Sequence, residues 1–157
     1  MSRKWGSCDF EQLQKLRDNL AKLEESDMDK FCRDVSKELA ARLLALVIPR
    51  TPVGQYPKAS GKKGGTLRRG WTANTGGNAG AYAAALPVAK VGNEYRIEVI
   101  NPVKYASYVE FGHRTRGGKG WVDGQYFLTL SEQDLRNLAP GIIERKLDQE
   151  LKKVFSV

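Results

Sequence analysis

The sequence is poor in the residues from which active sites are made. It has one histidine, His113, and two cysteines, Cys8 and Cys32, in 157 residues. Structural zinc needs clustered Cys and His at fixed spacings, and a catalytic nucleophile needs a base and an orienting group within reach. Neither demand is met by one imidazole between Gly112 and Arg114 and two thiols far apart in the chain. Two cysteines build no disulfide framework; both fall on helical patterns, and buried free thiols are expected. Acid is scarce where base is plentiful. Residues 49–120 hold twelve Lys and Arg against three acidic side chains, Glu94, Glu98 and Glu110. Residues 1–48 carry nine of each sign and residues 121–157 five basic and six acidic, so the net charge of +8 resides in the middle. Long apolar runs are missing too: Leu43 to Ile48 is the longest, six residues, against the roughly 20 that span a bilayer. No apolar signal core follows Met1–Trp5, so a protein made and used in a cytoplasm, with no membrane partner, is expected.

Glycine is abundant, with 16 residues, but not in nucleotide-binding order. Gly61-Lys62-Lys63-Gly64-Gly65-Thr66 lacks the Gly-x4-Gly-Lys-Ser/Thr spacing of a phosphate loop, and Gly117-Gly118-Lys119-Gly120 fails the dinucleotide fingerprint. The single Arg-Gly-Gly at 116–118 is too short for an RNA-binding tract. The inventory supplies no catalytic residues, no metal ligands and no cofactor site, and an enzyme is not expected.

What is present is helical periodicity around a short stretch of strand. Phe10, Leu13, Leu16, Leu20 and Leu23 predict an amphipathic helix over Asp9–Leu23. Ser26, Asp27 and Asp29 supply the cap and acidic first turn of a longer one, with Met28, Phe31, Val35, Leu39, Leu43 and Leu46 or Val47 along its apolar face and Pro49 and Pro52 ending it. A first strand is placed near Trp71–Asn74, Gly76–Ala81 is read as a loop, and the chain turns strand-like from Ala84. Val88–Val91 and Glu94–Ile100 flank Gly92-Asn93, a hairpin signal. Tyr95, Ile97 and Val99 share one face of the second arm. Ser131-Glu132-Gln133-Asp134 resembles a capping box, and Pro140 begins a last helix with Ile143, Leu147, Leu151 and Val154 or Phe155 on one face. Strands grouped between helices predict an α+β fold: a small antiparallel sheet packed against a long N-terminal helix, with C-terminal helices and long glycine-basic loops, in one domain over 1–157.

The chain is organised around Asn101–Phe127. Its first half predicts a short helix, with Asn101 as cap, Pro102 at the first helical position and Gly112 as stop. Its second half is a loop with Arg114, Arg116, Lys119 and Trp121 among four glycines. Trp71, Tyr95 and Tyr105 are expected to anchor core and loops, whereas Trp121, with no regular element to bury it, fits a subunit interface.

Four blocks in order carry a resemblance: Thr51-Pro52-Val53-Gly54; Gly65-Thr66-Leu67-Arg68-Arg69-Gly70-Trp71; Asn101 through Arg116, containing Tyr105-Ala106-Ser107-Tyr108-Val109-Glu110-Phe111-Gly112; and Gly120-Trp121-Val122-Asp123-Gly124 with Phe127-Leu128. Over residues 28–155, and most sharply over Tyr105–Phe127, the chain resembles the small neck proteins of tailed bacteriophages: head–tail joining, tail-completion or minor tail components. It departs from them in the lysine loop after Gly54. The resemblance implies a variable N-terminal helix over 1–25 and a neck-protein core over 26–157. It further implies a non-enzymatic virion protein of the neck or tail end, assembled in the host cytoplasm as a homo-oligomeric ring, often six-fold. Its implied partners are neighbouring neck, portal-adaptor and tail-tube or tail-terminator proteins, with non-specific contact to DNA in transit. Tyr105, Tyr108, Glu110, His113, Arg114, Arg116, Lys119 and Trp121 then form the subunit-interface or lumen loop, and Lys58, Lys62, Lys63, Arg68 and Arg69 a basic loop. The same charge asymmetry also fits a stand-alone basic nucleic-acid-binding module.

Overall fold

The computed structural model describes residues 10–23, 27–73 and 76–155. Its elements are α1 (Phe10–Leu23), α2 (Asp27–Arg50), α3 (Thr66–Gly70), α4 (Ala79–Ala85), β1 (Val88–Val91), β2 (Glu94–Ile97), α5 (Ala106–Phe111), β3 (Gly112–Arg114), β4 (Trp121–Asp123) and α6 (Phe127–Phe155), with a 3-10 turn at Lys58–Ser60. The fold is α+β. Two separate antiparallel hairpins, β1–β2 and β3–β4, accompany the two long helices. Cys8 lies outside the described residues; Cys32 is a free, half-buried thiol, less covered than its helical pattern predicts.

α2 is the axis of the molecule and packs against α4, α6 and β2. Val35, Ala40, Leu44 and Val47 are its buried residues, whereas Met28 is exposed and Leu39, Leu43 and Leu46 are half-buried. The predicted apolar line is therefore rotated. With neighbours on more than one side, the deepest stripe of α2 falls where they converge, and small Ala40 fits there better than a leucine. Leu67, Trp71, Ala83 and Phe127 complete the core, with the Trp71 and Phe127 rings edge to face at 6.2 Å.

The end of α2 is built from two of the sequence blocks. Pro49 lies inside the last turn rather than stopping the helix, which runs on to Arg50. Thr51 is fully buried; its backbone N–H and its hydroxyl both donate to Val47 O, at 2.9 and 2.7 Å, and the hydroxyl accepts Trp71 Nε1–H at 2.8 Å. Arg68 donates to Thr51 O at 2.8 and 3.1 Å and to Pro49 O at 3.1 Å, placing a cation on the carbonyl end of the helix. Residues 66–70 must be helical for Arg68 to reach this end while Leu67 turns inward. Trp71 follows as the helix cap, so no strand begins there; Asn74, the end of that predicted strand, lies outside the described residues. Gly70 packs so close to the Asn101 side chain that a β-carbon has no room. Asn101 donates to Leu67 O at 2.8 Å and accepts from Val103 N at 3.2 Å.

Ala79–Ala85 is a helix, not loop and strand. Asn78 caps it, accepting from Gly80 N and Ala81 N at 2.7 and 3.1 Å, and an alanine-rich segment after a cap outweighs its glycine. The β1–β2 hairpin forms as predicted, with Val88 opposite Ile97 and Val91 opposite Glu94, although β2 ends at Ile97. It is fixed to α2 through Asp29, which accepts from Arg33 Nε at 2.7 Å, Tyr95 Oη at 2.7 Å and Lys90 Nζ at 3.2 Å. Arg33 also donates to Val88 O at 2.7 Å.

The predicted pair of C-terminal helices is one helix of 29 residues, α6, with Pro140 inside it. Ser131 and Asp134 do not cap a helix. Ser131 is buried and donates to Phe127 O at 2.6 Å, a bond that mid-helix serines make. Arg50 reaches across to Ser131 Oγ at 3.0 Å and Asp134 Oδ2 at 2.7 Å. The inward residue of the second half is Ile142, while Ile143 and Leu147, assigned to the inner face on the assumption of a start at Pro140, are exposed. The side chain of Val154 lies outside what is described.

Candidate functional site

The segment from Asn101 to Phe127 folds as a helix, a hairpin and the entry to α6. Asn101 does not cap α5, whose N-cap is Tyr105; it braces the turn before it. α5 has only six residues, Ala106–Phe111, and two working sides. Tyr105, Tyr108 and Val109 lie on one side, and Ala106, Ser107, Glu110 and Phe111 on the other.

Glu110 is the pivot. It is 3% exposed, and its carboxylate accepts from Leu128 N at 2.9 Å, Thr129 N at 2.8 Å and Thr129 Oγ1 at 2.7 Å. The two N–H groups belong to the first turn of α6 and have no partner inside their own helix. A negative charge there also matches the helix dipole. Gln125 N and Tyr126 N donate to Val109 O and Glu110 O at 2.8 and 3.0 Å, so the end of α5 and the start of α6 are bonded by backbone and side chain together. Glu110 is therefore occupied within the chain rather than presented to a neighbour.

Gly112 ends α5 at φ 86° and ψ 170°, a region in which side chains are strained, and a β-carbon there would press on Val122 O and the Trp121 ring. The chain then forms β3 and β4, with Gly112 opposite Asp123 and Arg114 opposite Trp121. The tip is closed by Thr115 N to Gly120 O at 3.0 Å and Gly118 N to Thr115 O at 2.9 Å. The glycine-rich stretch read as loop is thus a hairpin. Three-residue strands with glycines between them carry too little alternation to be seen in sequence.

The candidate side chains fall into three groups. Tyr105, Tyr108 and Trp121 are 45%, 58% and 59% exposed, and with Phe111 at 59% and Ile100 at 60% they ring the helix and the hairpin base with apolar surface. His113 is half-buried, its ring edge-on to Tyr108 at 5.8 Å and its Nδ1 3.4 Å from Tyr108 O. Arg114, Arg116 and Lys119 are exposed on the hairpin, and Lys58, Lys62 and Lys63 on the loop before α3. Arg68 serves the end of α2, and Arg69, exposed beside the lysine loop, donates to Gly64 O at 3.2 Å. Phe111 and Ile100 are exposed residues that the sequence reading missed. Their signal is the spacing Tyr108 to Phe111, which acquires meaning only once Glu110 is known to face inward.

A groove of about 370 Å³ beside α5 is edged by Val99, Ile100, Val103, Lys104, Phe111 and Leu128. Among the described residues no cluster of three or more His, Cys, Asp or Glu gathers as a metal would require, and no helix is long and apolar enough to cross a membrane. The arrangement offers binding chemistry: Ile100 and Phe111 with Lys104 along one side of α5, and Tyr105, Tyr108, His113 and Arg114 along the other.

A small α+β body with exposed aromatic residues on a short helix and a hairpin presents a binding surface. Residues 14–112 match the model of a family described as "Bacteriophage HK97-gp10, putative tail-component", and the chain belongs to that family of phage tail components. The match takes in part of α1 and stops at Gly112, the first residue of β3, so the rest of the hairpin and α6 lie beyond it. No curated protein and no solved structure matches the chain.

Proposed function

We propose that the chain is a non-enzymatic structural protein of the virion that forms a closed ring with copies of itself at the head–tail junction or the tail end, where it joins or completes the tail. The observation that carries this reading is the exposure of Ile100, Phe111 and Trp121, each at 59% or 60%, around one helix and one hairpin. An apolar collar of this kind marks an interaction site on a soluble body. Burying such side chains stabilises a contact by about 1.5–3 kcal/mol each, before the cost of association. The hairpin projects from the body and differs from the groove beside Ile100, so contact between two copies is heterologous and closes into a ring when the rotation allows. Neighbouring neck, portal-adaptor and tail-tube or tail-terminator proteins would meet the two faces of that ring, in particles assembled in the host cytoplasm.

The test is a phage carrying Phe111→Asp with Trp121→Asp in this protein, examined by electron microscopy beside the unaltered particle. The unaltered particle should show the protein as one ring layer at the neck or tail end, and the variant should yield heads without joined tails. Infectious particles of normal form from the variant would end the proposal.

A further inference from the structure

Two segments bring the positive charge to the surface. Residues 51–72 and residues 111–122 contain no acidic side chain. Arg68 is held at the end of α2 and Arg69 donates to Gly64 O, while Lys58, Lys62, Lys63, Arg114, Arg116 and Lys119 are exposed. None of these six takes part in an ion pair among the described residues.

The fold sets the two segments side by side. One shallow depression of about 320 Å³ is lined by Tyr56, Lys63, Tyr105 and Val109 among others. A second, of about 540 Å³, is lined by Tyr105, Tyr108, Val109, His113 and Arg114. Tyr105 and Val109 line both, so the lysine loop and the hairpin flank one continuous face. Glu110, although next to Val109, is turned away to cap α6. Asp123, the acid of the hairpin itself, sits opposite Gly112 at its base and lines neither depression.

We propose that this face binds the sugar–phosphate backbone of duplex DNA without reading its sequence. Phosphate oxygens are commonly contacted by Lys and Arg and by tyrosine hydroxyls, in geometries that need no deep pocket. An acidic protein surface fits less well, because the centre of a protein interface is depleted in lysine and rich in apolar groups. Here the apolar groups Phe111 and Ile100 line the groove on the opposite side of α5. A single strand also fits less well. It needs free aromatic faces to stack on, but the Lys62 ammonium lies 5.9 Å from the Tyr56 ring centroid and His113 meets Tyr108 edge-on. This inference rests on charge and geometry and does not require a ring.

The experiment is fluorescence anisotropy of the full-length protein with a labelled duplex of arbitrary sequence, titrated across salt. Engagement of four or five phosphates predicts a slope of log K against log salt of about −4. Lys62→Glu with Lys63→Glu, and separately Arg114→Glu with Arg116→Glu, should each weaken binding at least about tenfold and flatten the slope by about one to two units. Lys152→Glu with Lys153→Glu makes the same change of net charge on α6, where those lysines pair with Asp148 and Glu150. It should change the affinity less than about threefold. Four results would overturn the proposal: no salt-dependent binding, an equal loss in the α6 variant, tighter binding of a single strand, or displacement of the duplex by polyglutamate at equal charge. Light scattering on the same samples separates this site from the ring. Binding by a protein that never oligomerises removes the ring alone, and rings that ignore DNA remove this site alone.

Discussion

Replacing Glu110 separates its role within the chain from any role between chains. Its carboxylate accepts three hydrogen bonds at 2.7–2.9 Å from the first turn of α6 and is 3% exposed. Hydrogen bonds to a charged group contribute about 1.5–3 kcal/mol each, so the gross loss in Glu110→Ala is on the order of 5–9 kcal/mol. Water entering the vacated site and rotation of the Thr129 hydroxyl recover part of this. A net destabilisation of about 3–5 kcal/mol is therefore expected, a large share of the roughly 5–15 kcal/mol that holds a domain together. Glu110→Gln keeps one acceptor oxygen but points an amide N–H₂ toward a backbone donor, so about 1–2 kcal/mol is expected. Urea unfolding followed by circular dichroism measures both, and the melting temperature should fall by roughly 10 °C for the alanine variant. Exchange of the Leu128 and Thr129 amides should accelerate more than that of amides in the middle of α2. If Glu110→Ala unfolds at the same urea concentration as the parent but no longer assembles, the capping account is wrong and Glu110 acts at an interface.

Thr51→Val removes the acceptor of the buried Trp71 indole N–H, held at 2.8 Å, and should cost about 1–3 kcal/mol in urea unfolding; Thr51→Ser should recover most of it. Asp29 gives the acid limb of stability. The hydrogen-bonded Arg33 guanidinium, then the Tyr95 hydroxyl and the Lys90 ammonium, hold its carboxyl well below the ordinary value of 3.8. A depressed carboxyl adds stability that is fully present above its unfolded pKa and is lost as pH falls toward the folded one. The parent should therefore weaken below about pH 4, and Asp29→Asn should be less stable at neutral pH with a flatter profile below it. Equal acid profiles for the two proteins would refute that assignment.

The parts legible in the sequence are those whose determinants are local. Gly92-Asn93 between alternating residues marks β1 and β2, and the Asp27–Arg50 segment has enough apolar positions to announce a helix whatever its phase. The misread parts are governed by distant partners. The start of α6 is set by Glu110, 18 positions before Leu128, so local signals at Ser131 and Pro140 pointed to the wrong boundaries. The helical state of Thr66–Gly70 depends on Arg68 reaching the end of α2, 17 positions before it. At the candidate site, Arg114, Arg116, Lys119 and Trp121 are exposed on a hairpin where the sequence reads as a loop. The inward turn of Glu110 and the outward turn of Phe111 needed the phase of a six-residue helix, which no periodicity can supply.

The residues that carry the family resemblance divide into those engaged within the chain and those that stay exposed, such as Tyr108, Phe111, Arg114 and Trp121. Thr51, Arg68, Gly70, Trp71, Asn101, Glu110 and Gly112 form one framework that ties the end of α2 to α3, α3 to the turn before α5, and α5 to α6. These residues already make their contacts within the chain, so their substitution acts first through folding. The hairpin tip is the opposite case, because its backbone bonds, Thr115 to Gly120 and Gly118 to Thr115, stay within it. Charge reversal at Arg116 or Lys119 breaks nothing in the body, and any effect on particles must arise from contacts beyond the chain. By fixing both ends of α5, the framework holds the Ile100–Phe111 surface on one side of that helix and the Tyr108–Arg114 surface on the other at a constant angle. A ring built through the first surface would then present the second in the same orientation in every copy.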